Sequence, residues 1–513
     1  MSRSFRALLA APLLLGLPAL PAQSLQFDLR GGSMPGSLSM DLYPGAAPFY
    51  PCFVLVGLNA GPTPLSIVDP ADPRSVQVGT QMLGQSIFGL FAMDLHFRAG
   101  PTPVPSSPGL LDLRLVFQGI TFPGATTLVD QISPAHAIYL APAGACRDRS
   151  VYATDERAFA VTLPRRDGKW MVVGGGRGGL LSQVAHATTE IYDELTDSFG
   201  PGPRMTTERS LHTATRLLDG RWLICGGVDR LNDPQAACEI YDPATDQFTA
   251  AAPMLSPRMG HSATLLSDGR VFVAGGLQAM TVVPTPISAI FDTTDTTEIY
   301  DPATGLWSPG PNLRTPRAAH AAILRPDGMV LLCGGISWDQ ILFVKIPAVR
   351  STTDLFDPVA GTIAAGPSMG SARSLTDATE IAPGRWLLAG GISGLTLTNL
   401  GTPTSTAEVY DAATNSFSPA GAMATARGNH RVIGLGGGRW LHLGGANGNI
   451  MTPNPLSSGE IYDAASNSWS VGPSLTIPRA GYATFETPTG QVQIFGGGTS
   501  GGVITTLTEW YYF

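Results

Sequence analysis

Residues 258–276 read RMGHSATLLSDGRVFVAGG, and this stretch decides the fold of most of the chain. It opens with Arg258, turns at Asp268-Gly269 between two β-prone runs, and closes with the glycine doublet Gly275-Gly276. An Asp-Gly pair between such runs favours a tight hairpin turn. The stretch therefore predicts two antiparallel strands joined by a hairpin.

The same pattern occurs seven times between residues 147 and 513. In every copy the arginine and the doublet are as far apart in sequence as Arg258 and Gly275 are. A turn glycine lies between them, at the position that corresponds to Gly269. Self-similarity at periods of about 50 to 60 residues indicates a repeat architecture. The arginines are Arg157, Arg209, Arg258, Arg317, Arg373, Arg427 and Arg479, and the doublets begin at Gly174, Gly226, Gly275, Gly334, Gly390, Gly444 and Gly496.

A second hairpin follows each doublet. It begins with an acidic, apolar, aromatic, acidic quartet such as residues 298–301, and a large apolar residue, here Trp307, stands nine positions after the first acid. Each unit thus predicts four strands. The seventh quartet, residues 509–512, ends this sequence without a fourth strand, so we predict that residues near 146 to 152 supply it, with Arg147 in the place of the large apolar residue.

This order of arginine, apolar strand, glycine doublet, Tyr-Asp strand and tryptophan resembles the kelch repeat, over residues 147–513. The resemblance implies an all-β fold, a seven-bladed kelch β-propeller over residues 146–513 around a central channel. Among secreted kelch proteins, copper radical oxidases similar to galactose oxidase also carry an N-terminal β-sandwich. That family takes one copper histidine from a domain after the propeller and needs a tyrosine crosslinked to cysteine, and this sequence offers neither.

Composition excludes several classes of protein. The 61 Gly and 43 Pro among 513 residues disfavour long helices and coiled coils, and 43 % hydrophobic with 14 % charged residues disfavours disorder. A net charge of −8 without a basic run gives no footprint for nucleic acid. We expect a folded β protein with no nucleic-acid partner.

Residues 1–22 have the order of a secretory signal peptide: Arg3 and Arg6, an apolar stretch over residues 7–17, then small residues. The stretch is shorter than the ~20 residues of a membrane-spanning helix. We therefore predict an exported protein, secreted, periplasmic or at the cell surface, without a membrane span. Residues 23–143 lack the repeat and show short β-prone runs, which predict a β-sandwich-like domain of unknown family.

Binding residues are expected on the connections between second and third strands, because only these vary in length; residues 277–297 and 336–353 form the largest. Trp338, Asp339 and Gln340 lie in the second of these and suit a sugar or peptide ligand. Arg258, Arg317 and Arg427 belong to the repeated arginines, which bind an anion at the channel mouth or pair with the repeated acids. Trp338 alternatively anchors its own loop.

All five cysteines follow the signal peptide, and an odd number cannot pair completely. Cys225 ends a second strand and Cys238 begins a third, so a disulfide between them is one expectation. No residue set marks a catalytic site, a metal or another cofactor. We predict a monomeric binding module for a glycan or an extracellular protein or peptide; the alternative is a sugar-acting enzyme similar to copper radical oxidases or to kelch mutarotases.

Overall fold

Strands dominate the computed structural model, which describes residues 25–31, 33–34, 36–43, 51–58, 60–65, 72, 74–78, 87–90, 97–104, 106–122, 129, 131–179, 183–281, 290–341, 344–396, 400–450, 452–487 and 489–513. The helical elements in these ranges are two single turns of 3-10 helix, Pro108–Leu110 and Ser500–Gly502. None of the helices in these ranges has the length and apolar character needed to span a membrane. The signal peptide predicted over residues 1–22 lies outside them.

Two sheets of the N-terminal region share one apolar core. Phe27 and Leu42 of the first sheet and Val54 and Ile138 of the second belong to a single buried cluster, because alternate residues of each strand face inward. The three-stranded sheet has the order Gln26–Arg30, Gly36–Tyr43, Phe97–Val104, and the four-stranded sheet has the order Ile132–Tyr139, Arg114–Thr121, Pro51–Gly57, Ile87–Leu90. Two smaller pairings join Ala60–Pro64 to Ser75–Val78 and Ser33–Met34 to Ala141–Pro142.

Beyond the N-terminal region, the described residues form seven further four-stranded antiparallel sheets, numbered here in chain order. Sheets 1 to 3 consist of Val161–Pro164, Trp170–Val173, Thr189–Asp193 and Ser198–Pro201; Thr213–Arg216, Trp222–Cys225, Cys238–Asp242 and Gln247–Ala251; and Ser262–Leu265, Val271–Ala274, Thr297–Asp301 and Leu306–Pro309. Sheets 4 to 6 consist of Ala321–Leu324, Val330–Cys333, Thr353–Asp357 and Thr362–Ala365; Ala378–Ala382, Arg385–Ala389, Ala407–Asp411 and Ser416–Ala420; and Arg431–Gly436, Arg439–Leu443, Gly459–Asp463 and Ser468–Val471.

Sheet 7 contains Ala483–Glu486, Val492–Phe495 and Leu507–Tyr512, and its fourth strand is Ala145–Tyr152 from the other end of the repeat region. Cys146, not Arg147, lies opposite Tyr511. This pair corresponds to the pair between Phe199 and Tyr192 in sheet 1. The Arg147 register was therefore wrong by one residue. The strand has a register shift between Asp148 and Tyr152, and Cys146 precedes Arg157 by one residue more than Phe199 precedes Arg209.

A repeated hydrogen bond joins each sheet to the next. The second glycine of each doublet donates its N–H to the carbonyl of the following sheet's arginine, for example Gly227 to Arg258 at 3.0 Å. Gly497 of sheet 7 donates to Arg157 of sheet 1 at 2.8 Å, so the series of sheets returns to its start. First strands of sheets 2 to 5, and those of sheets 7 and 1, also contact each other, which places them innermost, around a common axis.

The doublets must be glycine because of this close approach. Gly226 has a φ of 63°, and a Cβ there would lie 2.5 Å from the Arg258 carbonyl oxygen and 2.7 Å from Cε1 of His261. Any side chain would separate the two sheets and strain the backbone. The doublet thus sets the distance between neighbouring sheets.

The N-terminal region contacts the hairpin turns of sheets 1 and 7 at one end of the axis. We call this end the turn face, because the hairpin turns of the sheets lie there. His136 Nδ1 lies 2.7 Å from Glu194 Oε1 in a turn of sheet 1, and Gln491 in a turn of sheet 7 donates to the Tyr139 carbonyl at 2.9 Å. The opposite end, the loop face, carries the glycine doublets, the arginines and the long connections. The candidate site is sought on the loop face.

Candidate functional site

The seven repeated arginines are buried and already have partners. Arg258, Arg317 and Arg427 have no exposed surface, and their Nη2 atoms lie 2.5, 3.0 and 3.0 Å from Glu298, Asp354 and Glu460. Their Nη1 atoms donate to the carbonyl of the first doublet glycine and to a second loop carbonyl. The three arginines expected to bind a ligand instead hold the loops of their own sheets together.

In six of the seven sheets, the carboxylate that pairs with the arginine also accepts a backbone N–H group. Glu298 also accepts the backbone N–H groups of Leu255 and Ser256, which lie in the connection that leads into sheet 3. Burial lowers the pKa of Arg258 while the Glu298 carboxylate opposes that effect. A buried charge needs such partners, so this unit is a structural clamp rather than a free anion site.

Trp338 and Asp339 lie on a hairpin, Ile336–Ile341 with Val344–Val349, that projects from sheet 4 on the loop face. The Trp338 ring is partly buried against an apolar cluster at the axis. Arg350 Nη2 donates to the Trp338 carbonyl at 2.6 Å and to Asp339 Oδ1 at 2.7 Å. Trp338 thus packs on its own molecule, Asp339 is exposed and paired, and the Gln340 side chain lies outside the described residues.

Similar hairpins rise from neighbouring sheets and contact one another from sheet 3 to sheet 6. The connections of sheets 2 and 7, residues 228–238 and 498–508, are the shortest. The loop face therefore carries contacting hairpins over sheets 3 to 6 and short connections over sheets 2 and 7. Besides the hairpin of sheet 4, the projecting pairs are Leu277–Thr281 with Ile290–Thr293, Ile392–Leu395 with Leu400–Pro403, Ala446–Gly448 with Pro453–Pro455 and, in sheet 1, Gly176–Arg177 with Val184–Ala185.

Seven equivalent residue pairs surround the axis on the loop face. In each, the residue after the arginine forms a β-bridge with the residue after the glycine doublet. We call these the axial pairs. They are Ala158–Gly176, Ser210–Val228, Met259–Leu277, Ala318–Ile336, Ser374–Ile392, Gly428–Ala446 and Ala480–Gly498.

The axial pairs divide the axis into two halves. Sheets 2 to 5 each contribute a large apolar member, and Val228, Leu277, Ile336 and Ile392 pack into one buried cluster. Sheets 6, 7 and 1 contribute only glycine and alanine. We call these regions the packed half and the open half. The residue after the doublet thus differs in size between the two halves, and Gly176 is also required by its backbone, because a Cβ there would lie 2.7 Å from the Val184 carbonyl oxygen.

A cavity of about 100 Å³ lies over the open half. Phe159, Leu375, Ile392, Ile450 and Ile504 line it together with glycine backbone. Among the described residues, its polar lining is limited to Asn429, Asn449 and Thr499, and no charged side chain contributes. The cavity is thus an apolar, uncharged recess on the loop face.

Phe159 and Leu375 occupy a second ring of equivalent positions, two residues after the arginine. These residues have positive φ, 56° at Phe159 and 51° at Leu375, where glycine stands in sheets 3 and 7. Backbone hydrogen bonds link the ring, for example Phe159 N–H to the Gly481 carbonyl at 2.8 Å. A Cβ at Gly481 would lie only 2.7 Å from the nearest carbon atoms of the Phe159 ring. Gly481 therefore makes room for the aromatic wall of the cavity.

The residues at the axis do not fit the copper centre that the kelch oxidase resemblance implies. Among the residues that line the cavity there is no histidine, tyrosine, cysteine or carboxylate. Within the described ranges, no group of three or more His, Cys, Asp or Glu side chains is placed to hold a metal ion. Copper sites in proteins need such ligands, so these side chains support no reaction step through copper.

The histidines that follow the arginines lie between sheets instead. His430 Nε2 is 2.9 Å from His442 Nδ1, and both rings are buried. Burial lowers the pKa of His212, His320 and His430 to about 3. These histidines are neutral packing residues that fill the gap left by the preceding glycine doublet.

Cys225 and Cys238 are directly opposite each other in sheet 2. Both are buried thiols in this structure, and burial together with the neighbouring Cys238 raises the pKa of Cys225. The disulfide between them stays a prediction.

The cavity was not predicted, although the sequence contains a signal for it. The residue after each glycine doublet is large in four consecutive units and is alanine or glycine in the other three. That signal becomes informative only once this position is known to face the axis. The prediction relied on loop length and on Trp338 instead.

Comparison with known proteins gives a fold likeness only. No family model matches the chain, and no curated protein matches it. A fungal alcohol oxidase of the AA5 family, in complex with copper, is 16 % identical with a TM-score of 0.55, over 72 % of this chain and 76 % of that one. YjhT is 15 % identical with a TM-score of 0.43, over 58 % and 93 %. The chain thus shares the fold of the alcohol oxidase across most of its length.

Proposed function

We propose that this chain is an exported binding protein, a seven-bladed kelch propeller with an N-terminal β-sandwich, whose ligand is a glycan or an extracellular protein on the loop face. The carrying observation is the apolar cavity on that face. The contacts of the N-terminal region to Glu194 and Gln491 lie on the turn face, at the end opposite to the cavity. Recesses over a rigid scaffold are favoured binding sites. Export rests on the sequence of residues 1–22.

A pair of blocked proteins tests the proposal. Thr452 is exposed beside the cavity residue Pro453, and Val359 is 96 % exposed in a turn on the other face. Thr452→Cys and Val359→Cys are each coupled to polyethylene glycol and applied to glycan and secreted-protein arrays. We expect binding to be lost with the Thr452 block and kept with the Val359 block. Binding that survives both blocks, or no binding by the unmodified protein, contradicts the proposal.

A sugar- or alcohol-acting oxidase is the alternative, because the fold likeness is to a copper-containing alcohol oxidase. The test is copper analysis of protein from an exported expression system, with a peroxide-release assay over sugars and alcohols. We expect no stoichiometric copper and no peroxide, because the cavity lining lacks copper ligands. Copper at one equivalent with turnover would replace the binding proposal by the oxidase.

A further inference from the structure

The open half of the axis has the properties of a pocket for one apolar group. The axial pairs of sheets 6, 7 and 1 are glycine and alanine, and the same positions hold Val228, Leu277, Ile336 and Ile392 elsewhere. At Gly498 the backbone accepts a side chain, whereas a Cβ at Gly176 would lie 2.7 Å from the Val184 carbonyl oxygen. About 100 Å³ is left unfilled over these small residues. Closed apolar cavities of about 150 Å³ hold benzene, so this smaller recess, which is open to solvent, admits a branched aliphatic group or part of an aromatic ring.

The chemistry of the lining selects the ligand. No charged side chain belongs to the lining in the part of the chain that the structure describes, which disfavours anionic sugars, phosphates and ammonium groups. Sugar hydroxyls need several directed hydrogen bonds, whereas Asn429, Asn449 and Thr499 are the polar side chains of the lining. Aliphatic and aromatic side chains need only the apolar contact that Phe159, Ile450 and Ile504 supply.

One buried apolar group gives only weak binding by itself, since association has a large entropic cost. The group must therefore belong to a larger ligand that also contacts the rim. The hairpins of sheets 3 to 6 contact one another beside the cavity, and the connections of sheets 7 and 2 are the shortest. An extended chain can lie against this series of hairpins.

We propose that the open half binds a single leucine-, isoleucine- or phenylalanine-sized side chain of a protein partner as its anchor. The inference rests on the proposed function, because it names the partner class of the same loop face. It selects a protein over a glycan.

Gly498→Val fills the pocket with little strain. A Cβ at Gly498 would meet Ile504 Cδ1 at 3.6 Å and the Ala480 oxygen at 3.9 Å, which are ordinary contacts, and Val228 occupies the same position in sheet 2. Ala446→Ile copies Ile392 in the same way. Gly434→Val is the matched control, because a Cβ there meets nothing within 4 Å and the residue lies toward the turn face.

The first measurement uses toluene as the probe and galactose as its comparison, by ligand-observed saturation-transfer NMR. We expect transfer to toluene from the unmodified protein and from Gly434→Val. In Gly498→Val and Ala446→Ile, with unchanged thermal unfolding, transfer falls at least about fivefold because the space is filled. Equal transfer to toluene in all four proteins overturns the inference, and so does galactose transfer that Gly498→Val abolishes.

The second measurement selects peptides from a displayed library on the unmodified protein. We expect selected peptides to share one large apolar residue, and its replacement by alanine, like Gly498→Val in the protein, weakens binding at least about tenfold. If peptide binding is blocked by polyethylene glycol at residue 452 but is unchanged by Gly498→Val, the proposed function stands and the anchor pocket is rejected. Peptides insensitive to both reject both proposals.

Discussion

The packed half and the open half of the axis are built from the same repeat, and at the axis they differ most in the size of the residue that follows the glycine doublet. Both have the arginine clamp, the glycine doublet and the axial pair. In the packed half the residue after the doublet is Val228, Leu277, Ile336 or Ile392, and in the open half it is Ala446, Gly498 or Gly176. The comparison teaches that the clamp sets the architecture while a single position controls the space available to a ligand.

Removing an arginine clamp has the largest expected effect, and it is the same in both halves. Arg258→Ala in the packed half and Arg427→Ala in the open half each leave a buried carboxylate without its partner. We expect each to lower the free energy of unfolding in urea by about 3–5 kcal/mol. Arg270→Ala, which breaks the exposed pair with Asp268, is the control and costs less than about 1 kcal/mol. If the free energy of unfolding falls by less than about 1 kcal/mol in just one of the two variants, the clamp does not stabilise both halves.

Ile336→Ala converts one axial pair of the packed half to the composition of the open half. Ile336 is 4 % exposed and packs with Leu277 and Ile392. We expect a loss of about 2–5 kcal/mol in urea unfolding, because a buried side chain is removed and a void remains. Toluene should gain a second binding position. An unchanged stability means that the packed half is not a true core.

The repeated sheets of the molecule could be predicted from the sequence, but the difference between the two halves of the axis could not. The all-β class followed from spacing, because the arginine, turn glycine, doublet and quartet recur at fixed distances. The fourth strand of sheet 7 was placed with Arg147 in register, and an irregularity before Tyr152 moves Cys146 into that place. The cavity depends on side-chain sizes in sheets distant along the chain, which become neighbours only when the ring closes.

Acid should destabilise both halves through their buried histidines. Free histidine has a pKa near 6.5, whereas burial lowers the pKa of His212 and His320 in the packed half and His430 in the open half to about 3. The unfolded chain therefore takes up protons below pH 6.5 that the folded protein refuses. Stability is full above pH 6.5 and declines as the pH falls toward 3.

The expected loss between pH 7 and pH 5 is about 2 kcal/mol for each such histidine, measured as the free energy of unfolding in urea. His320→Thr introduces the residue type of Thr376, which holds the same position in sheet 5. This variant should lack the part of the stability loss that comes from one histidine. A pH dependence identical to that of the unmodified protein shows that His320 titrates normally.

The smallest expected effect separates the two halves most sharply. Phe159 and Leu211 occupy equivalent positions with the same φ of 56°, but Phe159 lines the cavity and Leu211 packs against the filled cluster. Glycine relieves the strained backbone at either place and also removes apolar contacts. We therefore expect Phe159→Gly and Leu211→Gly to change the free energy of unfolding by less than about 1 kcal/mol, because the two effects oppose each other. Only Phe159→Gly should weaken toluene binding, because only that variant removes a wall of the cavity. A loss of several kcal/mol from Phe159→Gly would instead make Phe159 a core residue and move the ligand away from the open half.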